Sequence, residues 1–102
     1  MIALLALLLI SLPHTQPASL AQPAHRVSFV KVASDVRLEV LDWGGTGPVM
    51  VFLAGFGGTS HVFDNFAPQF TNAYHVIGIT RRGFGASSRP SDGYDSATLA
   101  HD

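Results

Sequence analysis

Val49-Met50-Val51-Phe52-Leu53-Ala54-Gly55-Phe56-Gly57-Gly58-Thr59-Ser60 is the stretch whose reading decides the fold. Val49 to Ala54 is apolar without alternation, and a short continuous apolar run bounded by turn residues predicts a strand covered on both faces. Gly55 to Gly58 predicts a tight turn, and Thr59 or Ser60 stands where a helix N-cap belongs. A buried strand that runs through a glycine turn into a helix presents bare backbone N–H groups to an anion or an oxyanion.

Downstream, Val62, Phe63, Phe66, Ala67 and Phe70 fall at i, i+1, i+4, i+5 and i+8, one helical stripe that packs on a sheet. Pro68 limits this helix or kinks its last turn. Tyr74 to Thr80 is a second apolar run. Strand, helix and strand at this spacing predict a βαβ unit with parallel strands. Arg81 to Pro90, rich in Gly and Ser, then leaves the C-terminal end of the second strand, the edge at which open α/β sheets collect ligand sites. Asp95 or Ser96 can cap a further helix beginning at Ala97. The sequence stops one turn into it, which is the pattern expected of a truncated domain.

Upstream, Arg26 to Val32 and Val36 to Trp43 both alternate and are joined by Ala33-Ser34-Asp35, so they predict an antiparallel hairpin. It is read as scaffold, with no feature of a site. Gly44-Gly45-Thr46-Gly47-Pro48 separates the hairpin from the apolar strand.

The first charged side chain is Arg26. Met1 to Leu12 is apolar apart from Ser11, Pro13 breaks the run, and Ala18-Ser19-Leu20-Ala21 supplies small residues for a cut after Ala21. Residues 1–21 are therefore expected to be a secretory signal peptide, and the chain exported, either secreted or periplasmic. The apolar run is shorter than the about 20 residues that span a bilayer. An uncleaved signal segment that tethers the chain to the membrane is the alternative.

A formal net charge of −1, with no basic cluster beyond Arg81-Arg82, argues against a nucleic-acid partner. With no cysteine, disulfides, thiolate catalysis and Cys-based metal sites are excluded. The five histidines, His14, His25, His61, His75 and His101, show no metal spacing and no paired acid in the sequence, so no metal site is expected. His75 is read as a packed or edge histidine of its strand.

The block from residue 36 to residue 102 resembles the N-terminal part of the α/β-hydrolase fold family. There a hairpin precedes a third strand that ends in His-Gly-x-Gly or a similar loop, and the fourth strand ends in Asp-x-Arg-Gly-x-Gly-x-Ser. The first signature is present as Ala54-Gly55-Phe56-Gly57. The second is present as Thr80-Arg81-Arg82-Gly83-Phe84-Gly85-Ala86-Ser87. Arg82, Gly83, Gly85 and Ser87 match, while Ala54 replaces the usual His and Thr80 the usual Asp. Two ordered signatures at the right separation are far more specific than either alone.

The resemblance implies an α/β fold, incomplete here, with residues 22–102 as the part of the domain that precedes the nucleophile elbow. It implies that the Phe56 backbone N–H is one donor of an oxyanion hole, in a loop shaped by Gly55, Gly57 and Gly58. It implies that Arg82, Gly83, Gly85 and Ser87 form a structural loop. Ser87 lacks the Gly-x-Ser-x-Gly context of a nucleophile, and no such motif occurs in the chain. The nucleophile, acid and base of a family enzyme would thus lie outside these residues. The implied activity is hydrolysis of an ester or amide bond in a small-molecule substrate, without a cofactor. In the family's strand order, 1-2-4-3-5, the third strand here lacks one neighbour, so residues 22–102 alone are expected to aggregate or stay partly unfolded.

Two other classes stay open on the sequence. Gly55-Phe56-Gly57 after a strand, with Arg81-Arg82 after the next, fits an NADP-binding Rossmann-type module, although the third glycine of G-x-G-x-x-G would fall on Ser60. A non-catalytic exported binding domain on the same fold is the other. Oligomeric state is not legible.

Overall fold

In the computed structural model the described residues are 24–102, so the signal-peptide reading of residues 1–21 lies outside them. The alternating segments form β1 (Arg26–Ala33) and β2 (Val36–Gly44), an antiparallel pair that sets Val27 opposite Leu41 and Val30 opposite Leu38. β3 (Val49–Leu53) and β4 (His75–Thr80) pair in parallel, with Val51 opposite Ile77. β4 also pairs antiparallel with β2, which gives one mixed sheet in the order β1-β2-β4-β3. The hairpin and the parallel pair are thus joined through β4, the order that the resemblance implied.

The crossover between β3 and β4 differs from the predicted helix. It is two 3₁₀ helices, Ser60–Phe63 and Ala67–Phe70. Thr59 occupies the cap position of the first but makes no side-chain cap bond. Pro68 sits in the first turn of the second, where its missing N–H costs nothing, whereas one continuous α-helix would have needed that N–H to bond to residue 64. The phenylalanine stripe survives the change. Phe52 of β3 stacks with Phe63, Phe66 and Phe70 at ring-centroid distances of 4.9, 5.7 and 5.8 Å. Leu41, Trp43, Val76 and Ala67 close the core beneath them.

β3 is therefore covered on one face rather than on both. Met50 and Phe52 pack under the 3₁₀ helices, while Val49, Val51 and Leu53 remain exposed on the other side. Continuous apolarity marked a strand that needs two covered faces, and among the described residues only the face with Met50 and Phe52 is covered, and that in part. On the open face, Val51 and Leu53 line a groove with Leu38, Ile79 and Leu99. Leu99 belongs to α1 (Ser96–His101), which Asp95 caps by accepting the Thr98 N–H at 3.0 Å.

Candidate active site

The turn after β3 is the centre of the site. The Gly58 N–H donates to the Gly55 carbonyl at 3.1 Å, and Gly57 has φ +82° while Phe56 does not have a positive φ. These features define a type II turn with Phe56 at its second position and Gly57 at its third, where only glycine or asparagine fits without strain. Gly55 has ordinary φ, and a side chain there would meet open space, so its role is not conformational. The Phe56 N–H donates to no acceptor among the described residues.

The turn lies beside the loop that follows β4. The Phe56 and Phe84 rings meet edge to face at 5.5 Å, and the Arg81 guanidinium sits 5.3 Å from the centre of the Phe84 ring. Phe56, Arg81, Gly83, Phe84 and Tyr94 border a cavity of about 460 Å³. Arg81 Nε and Nη2 are buried there without a hydrogen-bond partner among the described residues. Both parallel strands thus deliver their C-terminal loops to one concave edge, the location expected for a site in an α/β sheet.

A buried polar network holds the two loops to the sheet. The Ser60 N–H donates to Thr80 Oγ1 at 3.0 Å, and Thr80 Oγ1 donates to Glu39 Oε2 at 3.0 Å. Ser87 Oγ accepts from the Glu39 N–H at 2.9 Å and donates to the Thr80 carbonyl at 2.6 Å. Ser60, Thr80, Glu39 and Ser87 are all buried. Where the family signature has His at 54 and Asp at 80, this chain has Ala54 and a Thr80 whose hydroxyl fastens the exit of the turn. Ser87 Oγ is committed to backbone partners on both sides. Gly83 and Gly85 both have positive φ, and a Cβ on Gly85 would come within 2.7 Å of Thr59. Arg82 is buried and gives two hydrogen bonds to the Asp102 carboxylate, Nε at 2.6 Å and Nη2 at 2.5 Å, so it joins the loop after β4 to the end of α1.

The expectation that no histidine has a paired acid is corrected. His61 Nε2 is 3.0 Å from Glu39 Oε1, His75 Nε2 is 3.0 Å from Asp42 Oδ1, and His25 Nδ1 is 2.5 Å from Asp64 Oδ1. The Glu39 hydrogen bond raises the His61 pKa above its ordinary value; burial works against this, and the charges of Glu39 and Asp64 reinforce it. Burial also opposes ionisation of Asp42, but the Gly44 N–H, His75 and Arg26 outweigh it and hold that carboxyl below its usual range. Glu39 and Asp42 both belong to the hairpin that the sequence read as scaffold. The expectation of no metal-ligating group also meets a geometry it did not foresee: donor atoms of His25, His61 and Asp64 lie within 4.8 Å of one another. His61 and Asp64 are only three residues apart, but His25, Glu39 and Asp42 reach their partners from other segments, so those pairings leave no local spacing to read.

A family model described as alpha/beta hydrolase fold matches residues 48–102. The chain is 29% identical over 79 residues to a 2-(acetamidomethylene)succinate hydrolase of Mesorhizobium japonicum, a match that covers 78% of this chain and 27% of that protein. It is 39% identical over 57 residues to a fluoroacetate dehalogenase of a Burkholderia species, covering 56% of this chain and 19% of that protein. Among solved structures, E-2-(acetamidomethylene)succinate hydrolase superposes with a TM-score of 0.67 at 28% identity, over 74% of this chain and 28% of its own. The chain thus spans between about a fifth and three tenths of the relatives it matches.

Proposed function

This chain belongs to the alpha/beta hydrolase fold family, and on that premise we propose that it carries the oxyanion-loop half of the active site of an exported hydrolase of small-molecule esters or amides. The observation that carries the reading is the Phe56 N–H, which has no acceptor among the described residues and stands in a glycine turn at the C-terminal end of β3 beside a cavity. Such a donor stabilises negative charge that develops on a carbonyl oxygen as it is attacked. In a protein that carries the remainder of the fold, the second donor, the nucleophile, the acid and the base come from that remainder. Hydrolytic relatives support the reaction class, and the apolar segment ending in Ala18-Ser19-Leu20-Ala21 supports export. Ester or amide cleavage is the finer choice, made on the exported location. A dinucleotide-binding role is disfavoured because the Ser60 side chain is buried and its N–H is already bound to Thr80, where a third glycine would have to face a pyrophosphate.

The test is Phe56→Pro in the protein carrying the complete fold. Proline is well suited to the second position of a type II turn, so the change removes the N–H and leaves the turn. Hydrolysis of a p-nitrophenyl ester should fall about 10²–10³-fold in kcat, while Phe56→Ala, which keeps the N–H, should stay within a few-fold of the parent. Unchanged kcat in Phe56→Pro would remove Phe56 from the mechanism. Binding of NADPH in place of ester turnover would overturn the hydrolase reading.

A further inference from the structure

Away from the oxyanion turn, two separate segments bring metal-binding donors to one point. His25 stands immediately before β1, His61 lies in the first 3₁₀ helix, and Asp64 follows that helix directly. Their donor atoms lie within 4.8 Å of one another. His25 Nδ1 is 2.5 Å from Asp64 Oδ1, and His61 Nδ1 is 3.6 Å from Asp64 Oδ2. Tetrahedral zinc with N and O bonds of about 2.0–2.1 Å spaces its ligand atoms about 3.3 Å apart. The separations of His25, His61 and Asp64 bracket that spacing, so an ion of that geometry requires side-chain adjustment to draw the three together.

The partners behind the donors are also in place. His61 Nε2 faces Glu39 Oε1 at 3.0 Å, and Glu39 is only 4% exposed. A proton on Nε2 bound to this carboxylate leaves Nδ1, the nitrogen nearer Asp64, with its lone pair free. That is the carboxylate–histidine–metal arrangement in which an outer carboxylate fixes the tautomer of a ligating imidazole. Trp43 Nε1, a donor only, gives its proton to Asp64 Oδ1 at 3.1 Å and fixes the second ligand in the same way. The His25 ring packs edge to face on Trp43 at 5.9 Å and on His61 at 5.1 Å. Two imidazoles with one carboxylate suit zinc and its neighbours, while magnesium and calcium prefer all-oxygen sets. His61 and Asp64 are partly exposed, so an ion can enter from solvent and keep a water as its fourth ligand.

We propose that His25, His61 and Asp64 form a zinc site that clamps the segment ahead of β1 to the first 3₁₀ helix. The ion closes a link between residues 25 and 61 and so restrains the hairpin against the crossover.

The test is titration of the chelator-treated full chain with zinc chloride, followed by calorimetry and thermal unfolding. Saturation at one ion per chain and a rise in Tm are expected. His25→Gln and Asp64→Asn should each lower the affinity at least tenfold, while His75→Gln, which removes the separate His75–Asp42 pair, should leave it unchanged. Because Asp64→Asn also disturbs the Trp43 hydrogen bond, a second readout uses the unsubstituted chain. Zinc should shift the imidazole NMR signals of His25 and His61 together. Absence of saturable binding, the parent's affinity retained in His25→Gln or in Asp64→Asn, or shifts confined to His14, His75 or His101 would each overturn the proposal.

Discussion

Thr80 Oγ1 donates to Glu39 Oε2 at 3.0 Å, and the same oxygen accepts the Ser60 N–H at 3.0 Å. One hydroxyl thus couples a buried carboxylate of β2 to the backbone that leaves the Gly55–Gly58 turn. Thr80→Val keeps the shape of the side chain and removes both bonds, leaving the Ser60 N–H and one Glu39 oxygen without these partners. The expected cost is about 2–4 kcal/mol of stability, measured by urea denaturation. Thr80→Ser should recover most of that loss. Equal stability of Thr80→Val and the parent chain would show that the network does not hold the turn.

Arg82 and Asp102 form a two-pronged pair with both side chains largely buried. Arg82→Ala leaves the Asp102 carboxylate without its counter-charge and is expected to lower stability. Arg82→Lys should recover only part, since an ammonium cannot reproduce the planar fork. Hydrogen exchange at the Gly83 and Ser88 amides, which donate to Ser88 and Arg37 respectively, should accelerate in both variants. Unchanged protection at these amides would count against Arg82 as the anchor of the loop.

The lowered pKa of Asp42 sets a pH dependence. A carboxylate held below its ordinary 3.8 in the folded state contributes stability that is fully present above pH 3.8 and is lost as pH falls through the folded pKa. Stability should therefore decline as the pH is lowered below about 4, and Asp42→Asn should flatten that part of the profile while costing stability near neutrality. Parallel profiles for the two chains in that range, followed by circular dichroism, would exclude Asp42 as a contributor.

Among the described residues β3 ends the sheet, with Val49, Val51 and Leu53 exposed on the face opposite the 3₁₀ helices. An unpaired apolar edge is a template for another strand. The 102-residue polypeptide is expected to self-associate in a concentration-dependent way, and Val51→Lys to reduce that association by placing a charge on the edge. Sedimentation velocity across a concentration series distinguishes the two. A monomer at every concentration of the unsubstituted chain would contradict the prediction.

Local pattern in the sequence determined the hairpin from its period-two alternation, the parallel pair from its apolar runs, and the turn from Gly55 to Gly58, because these features depend on residues a few positions apart. The two signatures around Phe56 and Arg82 added the family and the strand order. Pro68 announced a break in the crossover, and tertiary structure decided that it takes two 3₁₀ helices, with bonds such as Ser60 N–H to Thr80 at their ends. It also decided which side chains meet. His61 with Glu39, His75 with Asp42, His25 with Asp64 and Arg82 with Asp102 each join residues at least 20 positions apart. Such pairs depend on strand register and on the packing of loops at one sheet edge, and neither leaves a periodic trace in a single sequence.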